Sequence, residues 1–171
     1  EYTVVNDTTL DVVLRENVIF HDGSEMTADD VIYTYNFIVQ NDKNRRSKKV
    51  SGWLKNIEKT GKYSVRFNLK NPYANLFNDL YRVKIRKNGV MGEPGKWDDN
   101  AQATSLNGLG PYKVVSFDPG VEVVLKRNEA YFGGPKGTPE IENILVRSIP
   151  DMGTQQAELM SGGIHWMYNV K

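Results

Sequence analysis

The stretch FHDGSEMTADDVIYTYNFI, residues 20–38, decides how the rest of the chain is read. Its first half carries groups that could do chemistry: His21 and Asp22 are adjacent, Gly23 follows, and Asp29 and Asp30 stand a few residues on. Its second half repeats at helical spacing, with Ala28, Val31, Ile32, Tyr35 and Ile38 on one face. A histidine beside a carboxylate could be a general base with its orienting partner, or half of a metal site. Neighbours on an extended segment point to opposite sides, so the two share a ligand only where the chain bends sharply. The plainer reading is a turn at Asp22-Gly23, with the glycine supplying positive φ. Thr27 then reads as the N-cap of a helix over 28–39, and Asp30 reaches back to it in a Thr-x-x-Asp variant of the capping box. Carboxylates in the first turn also favour the helix dipole, by about 0.3–1 kcal/mol each. Turn and cap account for all four groups without catalysis.

The flanks extend the pattern. TLDVVLR, residues 9–15, alternates with Leu10, Val12 and Leu14 on one side and reads as a half-buried strand. Residues 41–51 are polar and basic and read as a loop. A hairpin follows, from Trp53–Glu58 through a turn at Thr60-Gly61-Lys62 into Tyr63–Leu69, whose second arm alternates cleanly. Asn71-Pro72 breaks it, and residues 73–81 read as a short helix. Residues 87–110, rich in glycine, read as loops. A second hairpin joins 112–117 to 121–126 through Asp118-Pro119-Gly120. After a loop over 128–140, residues 141–148 read as a strand, 152–161 as a helix stopped by Gly162-Gly163, and 164–168 as a last short strand. Strands and helices in this mixed order imply an α+β fold with mixed, largely antiparallel sheets, hairpins and a few helices.

Composition narrows the function. The 171 residues are 39% hydrophobic, enough for a packed core. Lys plus Arg number 22 against 21 Asp plus Glu, a net charge of +1 that gives no reason to expect nucleic acid as partner. With no cysteine, disulfides, thiolate nucleophiles and zinc fingers are excluded. With only His21 and His165, so is a histidine-rich metal site. No apolar run is long enough to span a bilayer. There is no G-x-S-x-G elbow. Gly95-Lys96 lacks the rest of a P-loop, and Gly108-Leu109-Gly110 lacks the third glycine of a dinucleotide site.

Two features stand out as binding candidates. The run DKNRRSKK, residues 42–49, carries five cations and one anion. It reads first as a solvated loop, and more sharply as an edge where Arg45 or Arg46 captures a carboxylate. Most aromatics at strand or helix period are core, and Trp53, directly after the basic run, is the best candidate to stack on a ligand instead.

Several segments together resemble a known family. LRENVIFHDGSEMTADDVIYTYNFI, residues 14–38, is similar to the hallmark segment of the family 5 extracytoplasmic solute-binding proteins, the oligopeptide-, dipeptide- and nickel-binding components of ABC importers. NGLGPYKVVSF, residues 107–117, is similar to that family's GTGPY segment; LKRNEAYFGG, residues 125–134, to its L-x-RN-x-x-Y; and QQAELMSGGIHWM, residues 155–167, to its x-x-A-L-x-x-G-x-ID. Three positions depart from the pattern: Asn17 stands where glycine is usual, Leu109 where threonine is, and His165 where aspartate is.

The resemblance implies a partial periplasmic-binding-protein type II-like lobe plus its small extra domain. Residues 1–29 would belong to the first lobe, 30–110 to the extra domain and 111–171 to the returning first lobe, with the second lobe absent, so that the chain is an N-terminal fragment. It implies a non-catalytic, ligand-binding protein without cofactor or metal, on the periplasmic or extracytoplasmic face of a bacterial membrane. Its partners would be a small peptide or other small solute and the membrane permease of an ABC importer, and it would be a monomer. In family members the loop before Trp53 faces the cleft, which makes Arg45, Arg46 and Trp53 the expected ligand contacts. Two alternatives stay open from the residues themselves: a hydrolase or metal enzyme using His21 and Asp22, and a protein-interaction module using the basic loop 43–49.

Overall fold

The structure is a computed structural model that describes residues 1–40, 45–93, 106–134 and 137–168; the side chains of Arg45, Arg46 and Ser47 lie outside the description. The chain forms two compact units, one from Glu1–Lys113 with Asn128–Thr138, the other from Val114–Arg127 with Pro139–Lys171.

The first unit is built on a four-stranded sheet of order β1-β2-β4-β3. Its strands are β1 (Tyr2–Asn6), β2 (Thr9–Val13), β3 (Leu54–Gly61) and β4 (Ser64–Leu69), and every pairing is antiparallel. In β4, Val65, Phe67 and Leu69 are buried and alternate with half-buried polar residues, the period-2 pattern of a strand with one face on the core. On the opposite face Arg66 stands between Asp11 and Glu58 of its neighbours and forks both nitrogens onto Asp11, at 2.7 Å each. That hydrogen-bonded guanidinium holds the Asp11 carboxyl below its ordinary pKa.

Helices α1 (Ala28–Val39), α2 (Arg45–Trp53) and α3 (Leu76–Arg82) complete this unit. Ala28, Val31 and Tyr35 of α1, Val50 and Trp53 of α2, and Leu76 of α3 share one core cluster with Leu10, Leu54, Ile57, Val65, Phe67 and Leu69. The cap of α1 forms as the sequence suggests: the Thr27 N–H donates to Asp30 Oδ2 at 2.7 Å. The face predicted as apolar is the one that packs, with Ile32 and Ile38 at its margins.

The second unit holds a three-stranded sheet of order β5-β6-β7, with β5 (Tyr112–Asp118), β6 (Glu122–Arg127) and β7 (Asn143–Arg147). Helix α4 (Met152–Ser161) follows. Asp151 caps it by accepting from the Thr154 amide at 2.8 Å, and Gly162 ends it at φ 79°. Arg147 of β7 pairs with Glu158 of α4 at 2.5 Å.

Three expectations change. Residues 45–53 are helix rather than loop, because Val50 and Trp53, three apart, both reach the core and give the basic run an inner face. Residues 41–44 lie outside the described part. β1 was not anticipated: all five of its residues are exposed, so no buried side marks it. Residues 164–168 are not a strand. The chain leaves α4 through cap bonds from the Gly163 and Ile164 amides to the Glu158 carbonyl, and Trp166 and Tyr168 remain largely exposed.

Candidate functional site

The opening stretch is held by a dense set of hydrogen bonds. Val18–Met26 fold back on themselves: Phe20 N–H donates to the Ser24 carbonyl at 2.8 Å, Gly23 N–H to the Phe20 carbonyl at 2.9 Å, and Met26 N–H to the Val18 carbonyl at 2.8 Å. Gly23 takes φ 87°, a conformation glycine adopts without steric cost. Val18, Phe20 and Met26 bury beneath this turn. The turn presents His21 and Asp22 in different directions, to different partners.

His21 docks on the backbone of residues 108–110. Its N–H donates to the Gly108 carbonyl at 2.9 Å, and its Nε2 lies 2.9 Å from the Gly110 carbonyl. A carbonyl only accepts, so Nε2 carries the proton in this bond. The Gly110 oxygen also accepts from Asn128 Nδ2 at 3.2 Å, while Asn128 N–H donates to the Pro111 carbonyl at 2.8 Å. Asn128 is almost fully buried. Arg15 fastens the same neighbourhood: its guanidinium donates to the Phe132 carbonyl at 3.1 Å and lies over the Phe132 ring. Residues 14–38, 107–113 and 128–134, drawn from three separate sequence motifs, thus meet around the backbone carbonyls of Gly108, Gly110, Pro111 and Phe132, of which Gly110's takes two donors.

Asp22 is an organiser of a different kind. Its Oδ1 accepts from Ser24 N–H at 3.0 Å and Ser24 Oγ at 2.6 Å, its Oδ2 pairs with Lys87 Nζ at 2.5 Å, and its own N–H donates to Asn107 Oδ1 at 3.2 Å. The Lys87 ammonium, with the Ser24 hydroxyl and amide, holds its carboxyl well below the usual carboxylate range. Both side chains named as possible catalytic groups are therefore occupied with holding chain segments. Among the described residues no three His, Asp or Glu side chains gather as a metal could require.

Of the expected ligand contacts, the structure places Trp53 in the core at 3% exposure. Its ring lies parallel to Tyr73, with centroids 6.1 Å apart and planes at 9°, and edge-on to Tyr35. Its indole N–H has no hydrogen-bond partner among the described residues. Beside it Tyr73 donates to Asp79 Oδ2 at 2.7 Å, and Lys49 Nζ approaches Asp79 Oδ1 to 2.6 Å. Burial pushes the Asp79 carboxyl up, but Lys49 and Tyr73 outweigh it and leave it below its ordinary pKa. Arg45 and Arg46 lie in the first turn of α2, with their side chains outside the described part.

Residue-by-residue reading missed a second buried stripe on α1. Asp30, Tyr33, Thr34 and Phe37 follow i, i+3, i+4, i+7 spacing and are all buried, though three of the four are polar. Their hydrogen bonds hold the irregular segment 86–92. Asp30 Oδ1 accepts from Asn88 N–H at 2.8 Å, Thr34 Oγ1 accepts from Arg86 N–H at 3.0 Å, and the Tyr33 hydroxyl donates to the Gly92 carbonyl at 2.7 Å while accepting from Met91 N–H at 2.9 Å. The helical period was the available signal, hidden because the stripe is polar.

Comparison with known proteins places this arrangement. Residues 1–171 match the family described as "Bacterial extracellular solute-binding proteins, family 5 Middle". The chain is 32% identical over 164 residues to the oligopeptide-binding protein AppA of Bacillus subtilis, covering 94% of this chain and 30% of that one. The structure of AppA from Bacillus subtilis in complex with a nonapeptide matches with a TM-score of 0.81 at 26% identity, over 96% of this chain and 33% of that one. NikZ from Campylobacter jejuni in complex with Ni(L-His) matches with a TM-score of 0.80 at 25% identity, over 96% and 32%. The fold is the mixed α+β, type II periplasmic-binding-protein fold of these relatives. The chain spans about a third of their length.

Proposed function

The chain belongs to the family 5 bacterial extracellular solute-binding proteins, and from that premise we propose that it is part of a non-catalytic importer component that binds a small peptide outside the cytoplasm and delivers it to an ABC-type membrane permease. One observation carries the choice of peptide. The relative with 32% identity is an oligopeptide-binding protein, and its nonapeptide complex matches this fold over 96% of the chain. The bonds of His21 and Asp22 support a binding role over a catalytic one, since both groups hold backbone and side chains of their own chain. Arg45 and Arg46 are the proposed partners of a solute carboxylate. Trp53, the buried last residue of that helix, is proposed to keep α2 in place for them.

The test starts from the longer protein that contains this chain. Solute released from it by denaturation is identified by mass spectrometry, and the binding of that solute is then titrated. Peptides are the expected cargo, and a nickel chelate or sugar carried without peptide would overturn the peptide reading. Arg46→Ala and Trp53→Ala in the longer protein should weaken binding, Trp53→Ala together with stability. Unchanged affinities in both would remove these residues from the site.

A further inference from the structure

Asparagine stands directly before glycine at Asn88-Gly89 and at Asn107-Gly108. In that position its side-chain amide can be lost. The backbone nitrogen of the following residue attacks the side-chain carbonyl carbon, and glycine has no side chain to hinder the approach. Two aids speed such a step. One is a hydrogen-bond donor on the side-chain oxygen, where negative charge develops. The other is a base beside the attacking nitrogen.

The turn that carries His21 and Asp22 supplies both at Asn107. Asp22 N–H donates to Asn107 Oδ1 at 3.2 Å. One residue earlier, His21 N–H donates to the Gly108 carbonyl at 2.9 Å, and the imidazole lies against Gly108. A Cβ placed on Gly108 would stand 3.5 Å from His21 Cε1 and 3.9 Å from Nδ1. Because Nε2 gives its proton to the Gly110 carbonyl, Nδ1 of the neutral ring holds the lone pair. That nitrogen is buried and has no hydrogen-bond partner among the described residues. An unused base thus lies beside the residue whose amide must lose a proton. All four residues belong to the first unit, so the arrangement is internal to it. Asn88-Gly89 is differently placed. Asn88 is held through its own N–H, which donates to Asp30 Oδ1 at 2.8 Å, and a Cβ placed on Gly89 would meet nothing within 4 Å.

We propose that Asn107 is a deamidation site assembled by His21 and Asp22. The Gly108 nitrogen bonds to Asn107 Cγ and passes its proton to His21 Nδ1, while Asp22 N–H holds the oxygen of the tetrahedral intermediate. The Cγ–Nδ2 bond then breaks, His21 returns the proton to the departing nitrogen, and ammonia leaves a cyclic imide. Water opens the imide at either carbonyl to give aspartate or isoaspartate. Both products set a second carboxylate near Asp22. Isoaspartate also adds a methylene to the main chain on the N-terminal side of Gly108, whose carbonyl is the acceptor for His21 N–H. The modification is therefore a slow, one-way loosening of the contact between residues 20–24 and 107–110. It does not depend on which solute the protein binds.

The test uses the longer protein that contains this chain, aged at neutral pH and sampled at intervals. Trypsin releases residues 88–96 and 97–113 as separate peptides, and fragmentation in the mass spectrometer reads amide loss at Asn88 and Asn107 individually. In the folded protein Asn107 should convert several-fold faster than Asn88, its internal control. In protein unfolded by urea the two rates should converge, since both asparagines precede glycine. His21→Gln keeps a donor for the Gly110 carbonyl and removes the base, so it should slow Asn107 while leaving Asn88 unchanged. Gly108→Ala, whose Cβ meets only ordinary contacts, should slow Asn107 as well by crowding the attacking nitrogen. Asn107 converting no faster than Asn88 in the folded state, a lead that persists in urea, or either variant converting at the wild-type rate or above would each overturn the proposal.

Discussion

Asn17 shows how one residue can carry a family's backbone requirement without its usual side chain. It holds φ 59° and is the one non-glycine residue with positive φ among the described residues. Asparagine tolerates this conformation best after glycine, which explains its presence where the family pattern has glycine. Asn17→Val should cost about 1–2 kcal/mol in chemical denaturation, while Asn17→Gly should leave the midpoint nearly unchanged; a harmless valine would contradict the left-handed assignment. Asp22 gives a prediction in pH. Its folded-state pKa lies below the unfolded value, so its contribution is complete above roughly pH 4 and is lost as pH falls toward the folded value. Asp22→Asn should therefore lower the Tm at neutral pH, and the gap should close in strong acid. A gap that stays constant across that range would show that the Lys87 pair contributes nothing. The turn and cap around these residues were legible in the sequence because their partners, Ser24, Thr27 and Asp30, are local. The Gly110 partner of His21 was not, since it lies 89 residues away.

At the scale of elements, α1 is buried along two stripes of opposite chemistry. The apolar stripe was legible because hydrophobicity repeats at helical period. The polar stripe was not, because Asp30 and Thr34 read as solvent-facing until the backbone of 86–92 is laid against them. Asp30→Ala should leave the Thr27 and Asn88 amides without partners, at about 1–3 kcal/mol for each buried donor. Tyr33→Phe should speed hydrogen exchange at Met91 while sparing β4. Uniform exchange changes across the first unit would mean that 86–92 is not held by this stripe. α2 failed to announce itself for a related reason. Four cations in its first five residues oppose the helix dipole and look like loop, whereas the residues that fold it, Val50 and Trp53, come at its end.

For the whole molecule, alternation and turn residues were enough to give the α+β class, the two hairpins and α4. The central pairing of β2 with β4 was not legible, because more than forty residues, including α1 and α2, intervene between the two strands. Ligand binding belongs to this scale as well. The chain spans about a third of the length of relatives such as AppA, and a solute enclosed on all sides needs walls from more than one part of a protein. The isolated 171 residues should therefore bind a peptide far more weakly than the longer protein does, as calorimetry on both would show. Equal affinities would place the entire binding surface within these residues.

The shared carbonyl of Gly110 also sets an order of events during synthesis. Its two side-chain donors, His21 and Asn128, leave the ribosome more than a hundred residues apart, and β5 and β6 are made between them. The junction around Gly110 therefore cannot close until β5 and β6 have been translated, although the strands β1 to β4 of the first sheet are complete by Leu69. Such late, long-range closure slows folding and prolongs the exposure of the polar groups it will satisfy. A nascent chain stalled before Asn128 should be a better chaperone client than one stalled just after Thr138.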